Sequence, residues 1–246
     1  MISNDLKRNT FVHFEKFKTK EYVVKPSLPI LYFGDLIRYK DSPLKIVTVG
    51  KNPSLNEFRI KENENFSFIR FPKWDEKSKN LEEVLNTYFE TKPLKKWFSS
   101  FEPILNGMNA SYYNGNWKNT AIHTDICSPI ATNPTWSLIN KTESEVLFKE
   151  GNLLWKQLIE ELQPDIILVS IPKQLFTSIF NSVGEELIVF DSMKNGDIRR
   201  YPYRVFQHEY EIKNKNIKII FGQAANKPFD RISNSQKYLI GEKCLK

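Results

Sequence analysis

Four short apolar runs stand out along the chain: residues 45–49 (KIVTV), 120–126 (TAIHTDI), 165–171 (DIILVSI) and 217–222 (IKIIFG). They are rich in β-branched residues and mostly apolar on both faces, which is the pattern of parallel strands buried on both sides. Between them the spacing changes to helical in residues 80–90, 93–108 and 143–162. The last of these puts Leu147, Leu154, Leu158 and Leu162 on one stripe, and Thr142-x-x-Glu145 has the form of a capping box at its start. A further helix is expected after Pro172, and another near residues 231–240. Phe206, His208, Tyr210 and Ile212 alternate with polar residues ahead of an Asn-Lys-Asn turn, which predicts an antiparallel hairpin into the run ending at Phe221. Strands alternating with helices of this length imply crossover connections. The expected class is therefore α/β, with three layers, α/β/α, around a central, mostly parallel, four-stranded sheet. One domain over residues 1–246 is expected, its first forty residues or so forming a helix and an extended segment wrapped on the core.

Composition adds a charge argument. Thirty-six Lys and Arg against 29 Asp and Glu give a net charge of +7. Such a surplus suits a polyanionic partner, or reflects nothing more than a lysine-rich proteome; composition leaves both readings open. Cys127 and Cys244 are the two cysteines, too few for a four-cysteine metal site or a disulfide scaffold. The opening residues lack the apolar core of a signal peptide, and no run reaches the length of a membrane span. A cytoplasmic monomer without membrane attachment is the expectation. The histidines and carboxylates share no metal-ligand spacing, and there is neither a glycine-rich phosphate loop nor a Gly-x-Ser-x-Gly elbow. No metal or other cofactor is implied.

The chemistry-bearing stretch is residues 45–58, KIVTVGKNPSLNEF. Gly50 lets the chain leave the strand, Lys51 and Asn52 form the tip of the bend, Pro53 fixes the turn, and Ser54-x-x-Glu57 reads as a second capping box that begins a helix. In an open α/β sheet, ligands bind outside the carboxyl ends of the strands, which is where Asn52 would sit. The N–H groups of the new helix would provide an anion site beside it. An asparagine here also commonly does no more than stabilise its own turn.

VGKNPS resembles the first motif of the uracil-DNA glycosylase superfamily, in which a strand ends in Gly-x-Asn-Pro or Gly-x-Asp-Pro and the Asn or Asp positions the attacking water. The order of the later strands is similar: HTDICSP (123–129) lies where the family's base-reading strand ends, PDIILVSIPKQLF (164–176) looks like its next strand and helix, and IIFGQAANKPF (219–229) falls at its DNA-intercalating loop. The resemblance implies that fold, DNA as partner, and hydrolysis of the bond between a flipped base and its deoxyribose. It gives Asn52 the water, and Phe66 or Phe68 the face of the base. It gives His123 and Asp125, two residues apart and on one strand face, the base edge. Asp125 stands where well-known members have Asn. A carboxylate only accepts hydrogen bonds, so it suits the amino group of a cytosine better than O4 of uracil, although a salt bridge at a strand end would explain it too. Ser54, where some relatives have Tyr, leaves room at C5. In the second motif Gln223 replaces the His, Asn or Met of many relatives and would assist the departing base, while Asn226, Lys227 and Arg231 would contact phosphates. The implied activity is a monofunctional DNA glycosylase for a flipped pyrimidine, a 5-modified cytosine or otherwise uracil, in base-excision repair or in defence against modified foreign DNA. The rival is a non-catalytic DNA-binding module of the same fold.

Overall fold

A computed structural model describes residues 1–58, 68–224 and 227–246. In chain order the helices are α1 (Asn4–Phe17), α2 (Leu36–Asp41), α3 (Leu81–Asn86), α4 (Lys95–Phe98), α5 (Glu102–Gly107), α6 (Lys141–Leu162), α7 (Lys173–Phe180) and α8 (Asn234–Cys244). The strands are β1 (Ile46–Gly50), β2 (Ala110–Ser111), β3 (Asn119–Asp125), β4 (Ile166–Val169), β5 (Glu185–Ser192), β6 (Ile198–Ile212) and β7 (Lys215–Gly222). They form one sheet in the order β2-β3-β1-β4-β7-β6-β5.

The class is α/β with a mostly parallel sheet and flanking helices, as the apolar runs predict, but the sheet has seven strands among the described residues and not four. The four expected strands are its central block. β4 runs parallel to both β1 and β7, with Ile167 paired to Val47 and to Ile219, and its four residues are all buried. At one edge β2 adds two residues parallel to β3. At the other, β6 and β5 continue antiparallel to β7. The predicted hairpin is β6–β7; Lys213 and Asn214 turn it with positive φ, 46° and 65°, as a two-residue turn matching strand twist requires.

The chain divides into two compact units. The first comprises Met1–Ile37, Lys51–Leu94 and Ile122–Leu162; the second comprises Arg38–Gly50, Lys95–Ala121 and Gln163–Lys246. In the first, α1 and α6 pack on a cluster of Phe17, Tyr22, Val23, Ile130, Ile139 and Leu147. Burying a large apolar side chain of this kind contributes about 1.5–3 kcal/mol. Gly151 permits close approach on the other flank of α6: a Cβ there would lie 2.3 Å from the Cys127 carbonyl oxygen. α6 is capped by Asn140, whose side chain accepts from the Thr142 N–H at 2.9 Å, so the expected Thr142–Glu145 box is not used. In the second unit the helical pattern of 93–108 is broken into α4 and α5, and α5 packs on α8. α8 opens with a capping box of Ser233 and Gln236.

Candidate active site

The bend after β1 is held by the segment that follows β3, within the first unit. Lys51 O accepts from Cys127 N–H at 2.9 Å, Pro53 O accepts from Thr132 N–H at 3.2 Å, and Ser54 bridges Thr132 in parallel register. The tip is therefore anchored next to the carboxyl end of the strand that carries His123 and Asp125. Asn52 is half-buried. Its amide nitrogen donates to Pro53 O at 2.7 Å and to Thr132 Oγ1 at 2.9 Å. Both amide protons are then engaged, which fixes which end of the carboxamide is oxygen. Among the described residues no donor reaches Oδ1, so this oxygen retains its capacity to accept. Asn52 thus stabilises its own turn, and its carbonyl is oriented by the same two bonds.

Ser54 does not begin an α-helix. A single 3-10 turn, Leu55–Glu57, follows it, with Ser54 Oγ accepting from Asn56 N–H at 3.3 Å. An anion site on a helix N-terminus is therefore not formed here, because one short turn sums too few peptide dipoles. Glu57, expected to fold back as a cap, instead turns into the protein. Its carboxylate accepts from Tyr88 Oη at 2.6 Å and lies 3.9 Å from Arg70 Nε, with only 5% of the side chain exposed. Tyr88 Oη itself accepts from Leu94 N–H at 3.0 Å. Burial pushes the Glu57 pKa up to about 7; the Tyr88 hydrogen bond and the Arg70 charge act against this, and the negative charge of Asp125 adds to it. Glu57 is a titratable group that the sequence pattern assigns to capping. Nothing in its local sequence indicates Tyr88, thirty-one residues on.

His123 and Asp125 share one face of β3 and are both buried, with His123 Nε2 3.7 Å from Asp125 Oδ1. The His123 backbone exchanges both of its hydrogen bonds with Phe33, at 2.8 and 2.9 Å, and the two rings lie 5.6 Å apart. Lys51 is half-buried; desolvation draws its pKa below the usual lysine value, while Cys127 beside it acts the other way. Phe68 meets Phe58 edge-on at 6.0 Å and lines a cavity of about 480 Å³ with Phe11, Phe14 and Trp74. Phe66 lies outside the described residues.

The remaining predicted residues belong to the second unit. Gly50 ends β1. Gln223 follows β7, is exposed, and its carbonyl accepts from Tyr203 Oη at 3.0 Å. With Arg231 it lines a cavity of about 460 Å³ beside β6. Arg231 is exposed with φ +69°. Lys227 is half-buried, and Asn226 lies outside the described residues. The loop before α8 is anchored from beneath. Phe229 N–H donates to Ser170 Oγ at 2.9 Å, and its ring fills the space above Gly222, where a Cβ would lie 2.1 Å from it. The buried Lys237 Nζ donates to Ser100 O at 2.8 Å and Ser100 Oγ at 2.6 Å. Desolvation lowers the Lys237 pKa to about 8, helped by the charges of Lys194 and Lys227 and opposed by Asp230. Both cysteines are free and buried, and no helix among the described residues is long and apolar enough to cross a membrane.

Comparison of the chain with family models, with curated proteins and with solved structures finds no match.

Proposed function

We propose that this chain is a monofunctional DNA glycosylase that hydrolyses the bond between deoxyribose and a flipped pyrimidine. The observation that supports the reading is the state of Asn52: its amide protons are committed to Pro53 O and Thr132 Oγ1, and its oxygen is left to accept from a water. Breaking a glycosidic bond passes through a sugar cation of oxocarbenium character. A strong base is not needed against such an electrophile, so a neutral carbonyl that holds the water in line contributes by positioning alone. An amide does not titrate near neutrality, and this step would be insensitive to pH.

Asp125 reads the base edge. A buried carboxylate facing a base accepts a hydrogen bond from an exocyclic amino group and repels a carbonyl oxygen, which favours cytosine over uracil. Ser54, whose hydroxyl is occupied by its own turn, puts no bulk at C5, so a 5-modified cytosine is the proposed base. Phe66 or Phe68 is the proposed stacking surface, as the resemblance implies. No step is assigned to Gln223, which lines the cavity of the second unit.

The experiment is an abasic-site assay on oligonucleotides carrying uracil, cytosine or 5-modified cytosines, with alkali cleavage as the readout. Alkali-labile sites at 5-modified cytosine are expected, together with loss of cleavage and retention of DNA binding in Asn52→Ala. A marked preference for uracil would remove the base assignment, and equal cleavage by parent and Asn52→Ala would remove the mechanism. A second reading, a DNA-binding module without cleavage, is favoured by the structural duty that Asn52 performs in its own turn and by an uncharged Gln223 in the second motif. It predicts a shifted oligonucleotide and no alkali-labile site from any member of the panel.

A further inference from the structure

The long strand β6 extends past its partner. Among the described residues β7 pairs with β6 only from Val205 onward, whereas β5 pairs with β6 back to Ile198. Residues 198–204 therefore overhang the end of β7 with one edge unpaired by it. Two cavities, of about 460 and 550 Å³, open along this overhang and share Arg199, Tyr201 and Arg231.

The chemistry of the overhang is a repeated pairing of cation and ring. Arg200 lies over the Tyr201 ring at 5.3 Å, Arg199 over Tyr203 at 5.9 Å, and Lys173 over Phe206 at 5.9 Å. Tyr201 is 73% exposed, an unusual state for an aromatic side chain on a strand. Lys173, Arg199, Arg200 and Arg231 carry no ion pair among the described residues, while Arg204 is paired with Glu186 and Lys194 with Asp230. The surface is thus mainly positive, with Asp230 as an acidic member of its lining, Arg199 Nε donating to Ser192 O at 2.8 Å, the Tyr201 ring exposed, and Tyr203 and Phe206 half-buried beside it.

We infer that the overhang of β6 is a binding platform for single-stranded DNA. Cations without an ion pair along the overhang match phosphates, and the exposed Tyr201 ring matches a base that is not already stacked, which a duplex does not offer. A peptide added as a further strand is disfavoured by Pro202, which has no backbone N–H to offer a strand partner. The platform lies wholly in the second unit and is independent of the proposed reaction at Asn52.

The test uses the full chain and a fluorescein-labelled oligo-dT, followed by anisotropy, with the same length of duplex and with polyglutamate as comparisons. The parent should bind the single strand more tightly than the duplex, and polyglutamate should compete poorly. Tyr201→Ala should weaken single-strand binding about five- to a hundredfold, the loss of one stacked base, and Tyr201→Phe should restore it. Arg200→Glu should weaken binding and flatten its salt dependence. Both side chains are exposed, so unchanged melting temperatures are expected of these variants. Cleavage lost in Asn52→Ala and oligo-dT binding lost in Tyr201→Ala are separate readouts, so failure of the glycosylase reading leaves this test standing, and the reverse. Equal affinity for duplex, efficient displacement by polyglutamate, or a Tyr201→Ala variant that binds like the parent would each overturn the inference.

Discussion

Replacing Glu57 by glutamine tests whether a carboxyl group is held against its solvation in the first unit. The side chain is nearly inaccessible, receives one hydrogen bond from Tyr88, and has Arg70 at 3.9 Å, too far for a direct charge-assisted bond. Burial dominates, raising the pKa from 4.5 to about 7. Between those two pH values the unfolded chain has released the proton and the folded chain retains it. Stability must therefore fall as pH rises through that window, by about 3 kcal/mol in total, and this residue adds no further change below 4.5 or above 7. The amide introduced by Glu57→Gln would still accept from Tyr88 but has no proton to lose. Urea unfolding of Glu57→Gln and parent, at steps from pH 4.5 to 8, isolates the effect because all other titrating groups cancel in the difference. Similar stability is expected at pH 4.5, and an advantage of about 3 kcal/mol for the variant at pH 8, with unchanged urea slopes. A difference that does not vary with pH would refute the reasoning. A variant that loses ground at high pH would show that Arg70 holds Glu57 ionised.

Two other substitutions probe how the loops are supported. Gly151→Ala should destabilise by roughly 1–3 kcal/mol, although alanine ordinarily favours a helix interior by about 1 kcal/mol, because the new methyl would lie 2.3 Å from the Cys127 carbonyl oxygen; an unchanged or raised melting temperature would contradict that packing. Lys237, with its pKa lowered to about 8, keeps its proton below that pH at a cost that is fully present there, and stability should recover by about 3 kcal/mol as pH rises from 8 to 10.5. In Lys237→Met this recovery should vanish from denaturant unfolding curves, and its persistence would assign it to another group.

The central strands were legible because burial on both faces keeps most positions apolar, and that shows within a few consecutive residues; β3, with Asn119, Thr120, His123, Thr124 and Asp125 all buried, is the least apolar of them. The β6–β7 hairpin was legible from local alternation, though its turn is Lys213–Asn214, one residue earlier than the Asn-Lys-Asn of the sequence. β5 was not predicted, although Leu187–Phe190 is a four-residue apolar run: its residues are mostly exposed or half-buried, so the run does not mark a strand buried on both faces, and its place in the sheet is set by pairing with β6. The Ser54-x-x-Glu57 pattern is locally correct for a cap, yet Glu57 is drawn inward by Tyr88, and the helix stops after one turn.

The site divides in the same way. Gly50 to Ser54 announce a strand, a sharp exit and an amide at its tip through their own conformational preferences. What that amide does depends on Thr132, eighty residues further along, which holds its nitrogen and leaves its oxygen available. Periodicity and turn chemistry act between near neighbours in the chain and can be read there. The partners of Asn52 and Glu57 are brought to them by packing, since burial removes water as the alternative partner and makes each hydrogen bond depend on which distant residue lies within reach.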